Sequence, residues 1–210
     1  EDGNPFATGI NRRYNGGFDA KFGLTNNMTL DLTVNPDFGQ VEADPSEVNL
    51  TAYETFFEEK RPFFIEGKNI TSFITGLGDG DLGSDNLFYS RRIGRSPHLG
   101  VKTDNDEFAK VPRVTPIICA AKLTGKTPDG LSIGIVEAVT AEGKAVIDSL
   151  GHRREQTVEP LTNYLVSRVI KDFGGGRTII GGAFTNTHRF LDNTGIDGLV
   201  RNANTAGIEL

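Results

Sequence analysis

The sequence predicts an all-β fold: part of an antiparallel, up-and-down transmembrane β-barrel that carries one long structured loop or plug. Three observations lead there. Apolar and polar residues alternate with a period of two near the start of the chain, the pattern of strands with one apolar face. Glycine supplies 26 of the 210 residues, roughly 12% against a usual ~7%, which disfavours helices and suits strands, bulges and turns. The connections between candidate strands are alternately short and long, the asymmetry of outer-membrane barrels.

The first hairpin is the clearest element. Phe18, Ala20, Phe22 and Leu24 alternate with Asp19, Lys21, Gly23 and Thr25. After Asn26 and Asn27, Met28, Leu30, Leu32 and Val34 alternate with Thr29, Asp31, Thr33 and Asn35. Residues 16–35 are therefore expected to form an antiparallel hairpin with Phe18, Phe22, Leu30 and Leu32 on one face. A two-residue Asn26-Asn27 turn would place polar Thr25 opposite Met28. A three-residue loop with Asn27 left-handed places Leu24 there, and is the expected register. A second hairpin joins 117–124 to 131–140 through the turn residues Lys126-Thr127-Pro128-Asp129-Gly130. A third joins 161–173 to 177–188 through Gly174-Gly175-Gly176, and Ala203 to Leu210 begins a seventh strand. In the later strands Arg168 and Asp172 share parity with Tyr164, Val166 and Ile170, so the pattern does not assign an outward face.

The turns within hairpins are short, while Pro36–Pro112, Ala141–Pro160 and Arg189–Asn202 are long connections. In an up-and-down sheet all short turns then fall on one side and all long loops on the other. No apolar run approaches the ~20 residues of a membrane helix. The net charge is -6, which excludes nucleic acid as a partner because phosphate binding needs a basic face. The single Cys119 reads as a small apolar filler. One feature runs the other way: barrels use aromatic girdles, and the chain has no Trp and four Tyr. The chain opens on Glu1, as after removal of a signal peptide or excision from a longer protein.

The long connection is rich in aromatics with interleaved charge, including Phe38, Tyr53, Phe56, Phe57, Phe63, Phe64, Phe73, Phe88 and Tyr89. So many aromatics imply a small core or packing inside a barrel, and the segment is expected to contact the strands' polar face. Four features in it bear on chemistry. The acidic set Asp37, Glu42, Asp44 and Glu47 contains the carboxylate pair a glycosidase needs, or is a solvated acidic loop. Glu58, Glu59 and Glu66 flank an aromatic run. They are expected to pair with Lys60, Arg61 or the Arg91, Arg92 and Arg95 cluster as structural anchors, since buried charge must be paired. Asp79, Asp81 and Asp85 offer oxygen ligands of the kind Ca²⁺ takes, without EF-hand spacing. Arg91, Arg92 and Arg95 can fork onto carboxylates, with the acidic set as partner, or hold a phosphate or acidic glycan. His98, His152 and His188 are dispersed without ligand spacing. The sequence has no nucleophile elbow and no P-loop, and no catalytic dyad is inferred from it.

The stretches NPDFGQVEADPSEVNLTAYETFFEEKRPFFIEG (35–67) and LFYSRRIGR (87–95) resemble signatures of a Bacteroidota-type outer-membrane family, the domain of unknown function numbered five-nine-one-six. Residues 120–142, 159–185 and Ala206-Gly207-Ile208 are similar to it as well. The resemblance covers nearly the whole chain. It implies a C-terminal barrel in the outer membrane of a Gram-negative bacterium, often labelled hydrolase or carbohydrate-associated. It also implies an upstream carbohydrate-binding module resembling family nine. It carries over no catalytic residues.

The expected function is that of an outer-membrane barrel, in contact with membrane lipid, that binds or passes a glycan-related substrate. Residues 36–112 would be its loop or plug. A carboxylate-dependent hydrolase of the cell envelope and a soluble structural β-domain are the alternatives. No cofactor beyond the weak Ca²⁺ set is expected. Six strands and the start of a seventh make an incomplete barrel, whose free edges would need further strands.

Overall fold

The computed structural model of the chain describes residues 4–7, 15–36, 56–75, 86–104 and 106–210. Among them the strands are β1 (Phe18–Thr25), β2 (Met28–Val34), β3 (Glu107–Lys110), β4 (Ile117–Lys126), β5 (Leu131–Thr140), β6 (Gly143–Ser149), β7 (His152–Glu159), β8 (Thr162–Phe173), β9 (Thr178–Arg189) and β10 (Asn202–Glu209). The helices are two single turns, α1 (Pro62–Ile65) and α2 (Lys68–Thr71), and one 3₁₀ turn, Ser90–Arg92. The fold is all-β and antiparallel. Seven strands make one open sheet in the order β1-β2-β4-β5-β8-β9-β10, and β3-β6-β7 make a second, small sheet. Among the described residues β1 and β10 are edges, each paired on one side only, so no closed barrel forms.

Register decides the faces, because directly opposed residues of an antiparallel pair share one. Phe18, Ala20 and Phe22 oppose Val34, Leu32 and Leu30, which oppose Cys119, Ala121 and Leu123. The same face continues through Val139 and Ile135 on β5, Leu165 and Val169 on β8, Phe184 on β9, and Ala206 and Ile208 on β10. This apolar face is open. Phe18, Phe22 and Val34 are half or more exposed, as is Ile208, and Val169, Ile180 and Phe184 are 40–45% exposed. The opposite face is covered and mixed: Asp31, Thr33, Lys122, Thr124, Thr140 and Thr162 are buried on it beside Ala120, Val136, Ala138, Tyr164 and Val166. The sheet thus buries charges and hydroxyls on one face and leaves apolar side chains exposed on the other.

The first hairpin departs from expectation in its turn. Thr25 opposes Met28, and Leu24 is the extra residue of an irregularity between Gly23 and Thr25. Asn27 is not left-handed; the positive-φ residues other than glycine are Asn35, Leu150 and Asn193. The bulge lets a two-residue turn close without moving Phe22 and Leu30 off the apolar face. The second correction concerns 141–160, expected as a loop. It is the hairpin β6–β7, which extends β5 and β8 past Thr140↔Thr162 and takes β3 on its edge. Its alternating Gly143, Ala145 and Ile147 are buried, a short period-two signal weakened by the small Gly143 and Ala145 and interrupted by Val146.

The rows also drift. The ladder Met28↔Gly125↔Ile133↔Val169 marks the end of the β1–β2 hairpin, yet β8 and β9 pair four residues further, to Phe173↔Thr178. At the other end Val34 shares a row with His188, and the apolar face resumes on β9 four residues later at Phe184. Turns and apolar band therefore shift together by about 13 Å over four strand spacings, a slant of about 35° to the rows.

The segment holding α1, α2 and the 3₁₀ turn lies on the polar face. Phe64 and Ile93 join Ile117, Ala120, Val136, Ala138, Tyr164 and Val166 in the core cluster, with Phe63 and Phe88 against it. Beyond it, α2 packs on β5 and β8.

Candidate functional site

The candidate site is the polar face and the strap of residues 61–75 that crosses it. The strap starts where Pro62 pre-sets the first turn of α1. Gly67, at φ 71, turns the chain into α2. Its seat is made of glycines: a Cβ at Gly134 would lie 2.9 Å from Ile70 Cγ2 and 3.0 Å from Thr71 Cγ2, and one on Gly207 would meet the Phe73 ring at 2.5 Å. Side chains on β5 and β10 are absent where the strap needs room.

Two cations of the wall hold the strap by its backbone. Lys122, on β4, is buried; its Nζ donates to the carbonyls of Phe63 (2.6 Å) and Glu66 (2.9 Å) and pairs with Asp31 at 3.2 Å. Lys21 on β1 bridges Asp31 at 3.5 Å and also bonds Glu66. Arg168, on β8, donates to the carbonyls of Asn69 (3.2 Å), Ile70 (3.4 Å) and Ser72, and forks onto Glu209 of β10 at 2.8 and 2.6 Å. Its guanidinium also lies 5.8 Å from the Phe73 ring. The last carbonyls of α2, which a four-residue helix cannot satisfy internally, thus bond to a charge on the wall.

The anchors on the strap's own side are equally closed. Arg61 forks onto Glu59 at 2.8 and 2.7 Å, donates to the carbonyls of Ile93 and Ser90, and stacks 4.3 Å from the Phe64 ring. The Ser90 hydroxyl donates to Glu59 at 2.6 Å. Burial pushes the Glu59 carboxyl up, but the Arg61 fork and charge, Ser90 and the Arg61 backbone N–H together hold it below the usual range. Such a carboxylate stays ionised, with both oxygens engaged by Arg61 and Ser90.

The expected Glu59–Arg61 pair is present, and Glu66 pairs with Lys21 of the sheet, a cation not among those expected for it. The Lys21 hydrogen bond, chiefly, lowers its pKa. Lys21 lies too far away in sequence for local charge patterning to find. Arg91 donates to the Glu58 carbonyl at 2.6 Å and lies 5.8 Å from the Phe57 ring. Arg92 ends the 3₁₀ turn, and Arg95 accepts a bond from Thr115 N through its carbonyl. Asp37, Glu42, Asp44 and Glu47, and the Ca²⁺ candidates Asp79, Asp81 and Asp85, lie outside the described residues. Among the described residues no group of three His, Cys, Asp or Glu side chains could hold a metal ion.

Sequence reasoning missed Asp31, Lys122, Arg168 and Glu209, and it also missed Glu159. Glu159 is buried where β7 gives way to β8, and it binds His98 Nδ1 at 2.7 Å and His98 N at 2.8 Å. That contact ties the segment after the 3₁₀ turn to the strand junction. The signal for Asp31 and Lys122 was a charge inside a strand on the parity opposite to the apolar residues; for Arg168 parity gave none.

Residues 3–210 match the family model described as Domain of unknown function (DUF5916). Comparison with curated proteins and with solved structures finds no match.

Proposed function

The chain belongs to this family of domains of unknown function, and from that premise we propose that its open sheet is wall of a β-barrel in the outer membrane of a Gram-negative bacterium. The strap of residues 61–75 covers the inner face, along which a polar, glycan-related solute is bound or passed. One observation carries the reading: an apolar face is exposed while the face bearing the buried charges and threonines is covered, and the apolar band slants with the turns by about 35° to the rows. A strand in a barrel tilts about 35–45° to the membrane normal, so a lipid-facing band must cross the rows obliquely by that angle. In water the same open face would be a patch far larger than monomers expose. The covered face supports the solute class: threonine hydroxyls with Lys122, Asp31, Arg168 and Glu209 suit a hydrogen-bonding solute. In lipid the β1 and β10 edges need partner strands, since each unpaired backbone group there costs several kcal/mol.

The test is electrophoretic migration of the protein in detergent with and without boiling. A heat-modifiable, protease-resistant band in detergent or phospholipid is expected. A monomeric, protease-resistant protein that is soluble without either refutes the barrel.

A further inference from the structure

We infer that the strap is hinged at Gly67 and latched by Arg168, so that α2 lifts off the wall while α1 stays; as a gate, it rests on the barrel reading. The two halves are held by different forces. The α1 half is fixed by apolar packing, with Phe64 5% exposed inside the core cluster and Phe63 against it, backed by the buried Lys122. The α2 half buries Thr71 of its helix and rests on glycine at Gly134; its one buried aromatic, Phe73 at 6% exposure, comes after the helix and is tied to Asn86 and Leu87. Its backbone bonds to the wall come from Arg168, which takes carbonyls of Asn69, Ile70 and Ser72 while Glu209 holds the guanidinium in place. Past α2, the Phe73 ring lies against Gly207, on the same strand as Glu209. Between the halves Gly67 is left-handed, free to change its dihedrals without a Cβ penalty. Apolar packing is non-directional and tolerates no partial opening, whereas a fork of hydrogen bonds breaks as a unit when one side chain turns. Lifting α2 uncovers the side chains of Arg168 and Glu209 and the bare backbone at Gly134 and Gly207, opening a polar path along β5, β8 and β10.

The experiment is hydrogen exchange of the intact parent protein in phospholipid, wild type against Arg168→Gln. Exchange at residues 68–75 should rise by about tenfold or more, the factor that corresponds to about 1.4 kcal/mol, with residues 63–66 and β4, β5 and β8 unchanged. Unchanged exchange at 68–75, or α1 and α2 opening together, overturns the hinge and latch. Should Arg168→Gln fail to fold, Glu209→Gln keeps the arginine and should give a smaller rise confined to the same segment. Uptake of a small neutral sugar into proteoliposomes forms the second arm. It should rise with the exchange, and a rise in exchange without uptake overturns the gate. If the protein never enters lipid but the exchange pattern holds in solution, the barrel reading fails and the latch stands.

Discussion

Placing an arginine along the outer face of β9 separates a lipid-facing wall from a water-facing sheet. Asn186, Phe184 and Ile180 share that face, and the last two are 40% and 45% exposed. Ile180 lies six residues from Asn186, about 20 Å along the strand. At a slant of about 35° that becomes about 16 Å of depth, more than half of an apolar belt about 25 Å tall. Arginine should therefore cost about 2–4 kcal/mol at Ile180, about 0–1 kcal/mol at Asn186 and an intermediate amount at Phe184, about 5 Å deeper than Asn186. On a water-facing sheet, half-exposed positions would change by about 0.5 kcal/mol or less at all three. The lost apolar contact is removed by subtracting the matching alanine variants. The assay is denaturant unfolding of the parent protein in phospholipid vesicles, followed by circular dichroism. A flat profile across the three positions would refute the inverted amphipathy as a membrane signature.

Further outcomes follow from the ion pairs. Lys122→Met leaves Asp31 and two strap carbonyls short of their buried donor and should cost about 3–5 kcal/mol. Adding Asp31→Leu should recover part of that in a double-mutant cycle, and strict additivity would count against the pairing. Glu66→Gln touches an exposed pair with Lys21 and should cost less than about 1 kcal/mol. Loss of a measured hydrolytic activity in that folded variant would overturn its structural role. Asp129, in the β4–β5 turn, is held down to about 2 by hydrogen bonds from Lys171 and then Thr127. Its pKa lies below the unfolded value of about 3.9, so its stabilisation is present above about pH 4 and lost as pH falls toward 2. A carboxyl titration midpoint near 4 by nuclear magnetic resonance would exclude that bond network. Glu59 follows the same sign, since burial is outweighed by the Arg61 fork and charge, Ser90 and the Arg61 backbone N–H acting together; Glu59→Gln should cost about 2–3 kcal/mol in urea unfolding.

The sequence by itself determined the seven long strands and the inner and outer faces of the first hairpin. Period-two alternation and turn residues are local, so β1, β2, β4, β5, β8, β9 and the start of β10 stood out from their own residues. The outward face of β8 and β9 did not, because Arg168 and Asp172 share parity with Tyr164 and Val166. Only register against β5 and β9 showed that all four face the strap. The β6–β7 hairpin stayed hidden because its alternation is short, small residues stand at two inward positions and Val146 interrupts it, and its edge partner β3 lies over thirty residues away in the chain. The strap is the sharpest case. Its aromatics announced a packed segment, but its holds are contacts between residues 45–99 positions apart: Lys21 to Glu66, Lys122 to Phe63 and Glu66, and Arg168 to Asn69, Ile70 and Ser72. Charge pairing is set by distance in space, and sequence spacing predicts it only within a helix turn or a hairpin. The tertiary structure therefore decided which carboxylates became anchors, and it paired Glu66 with a lysine on the sheet.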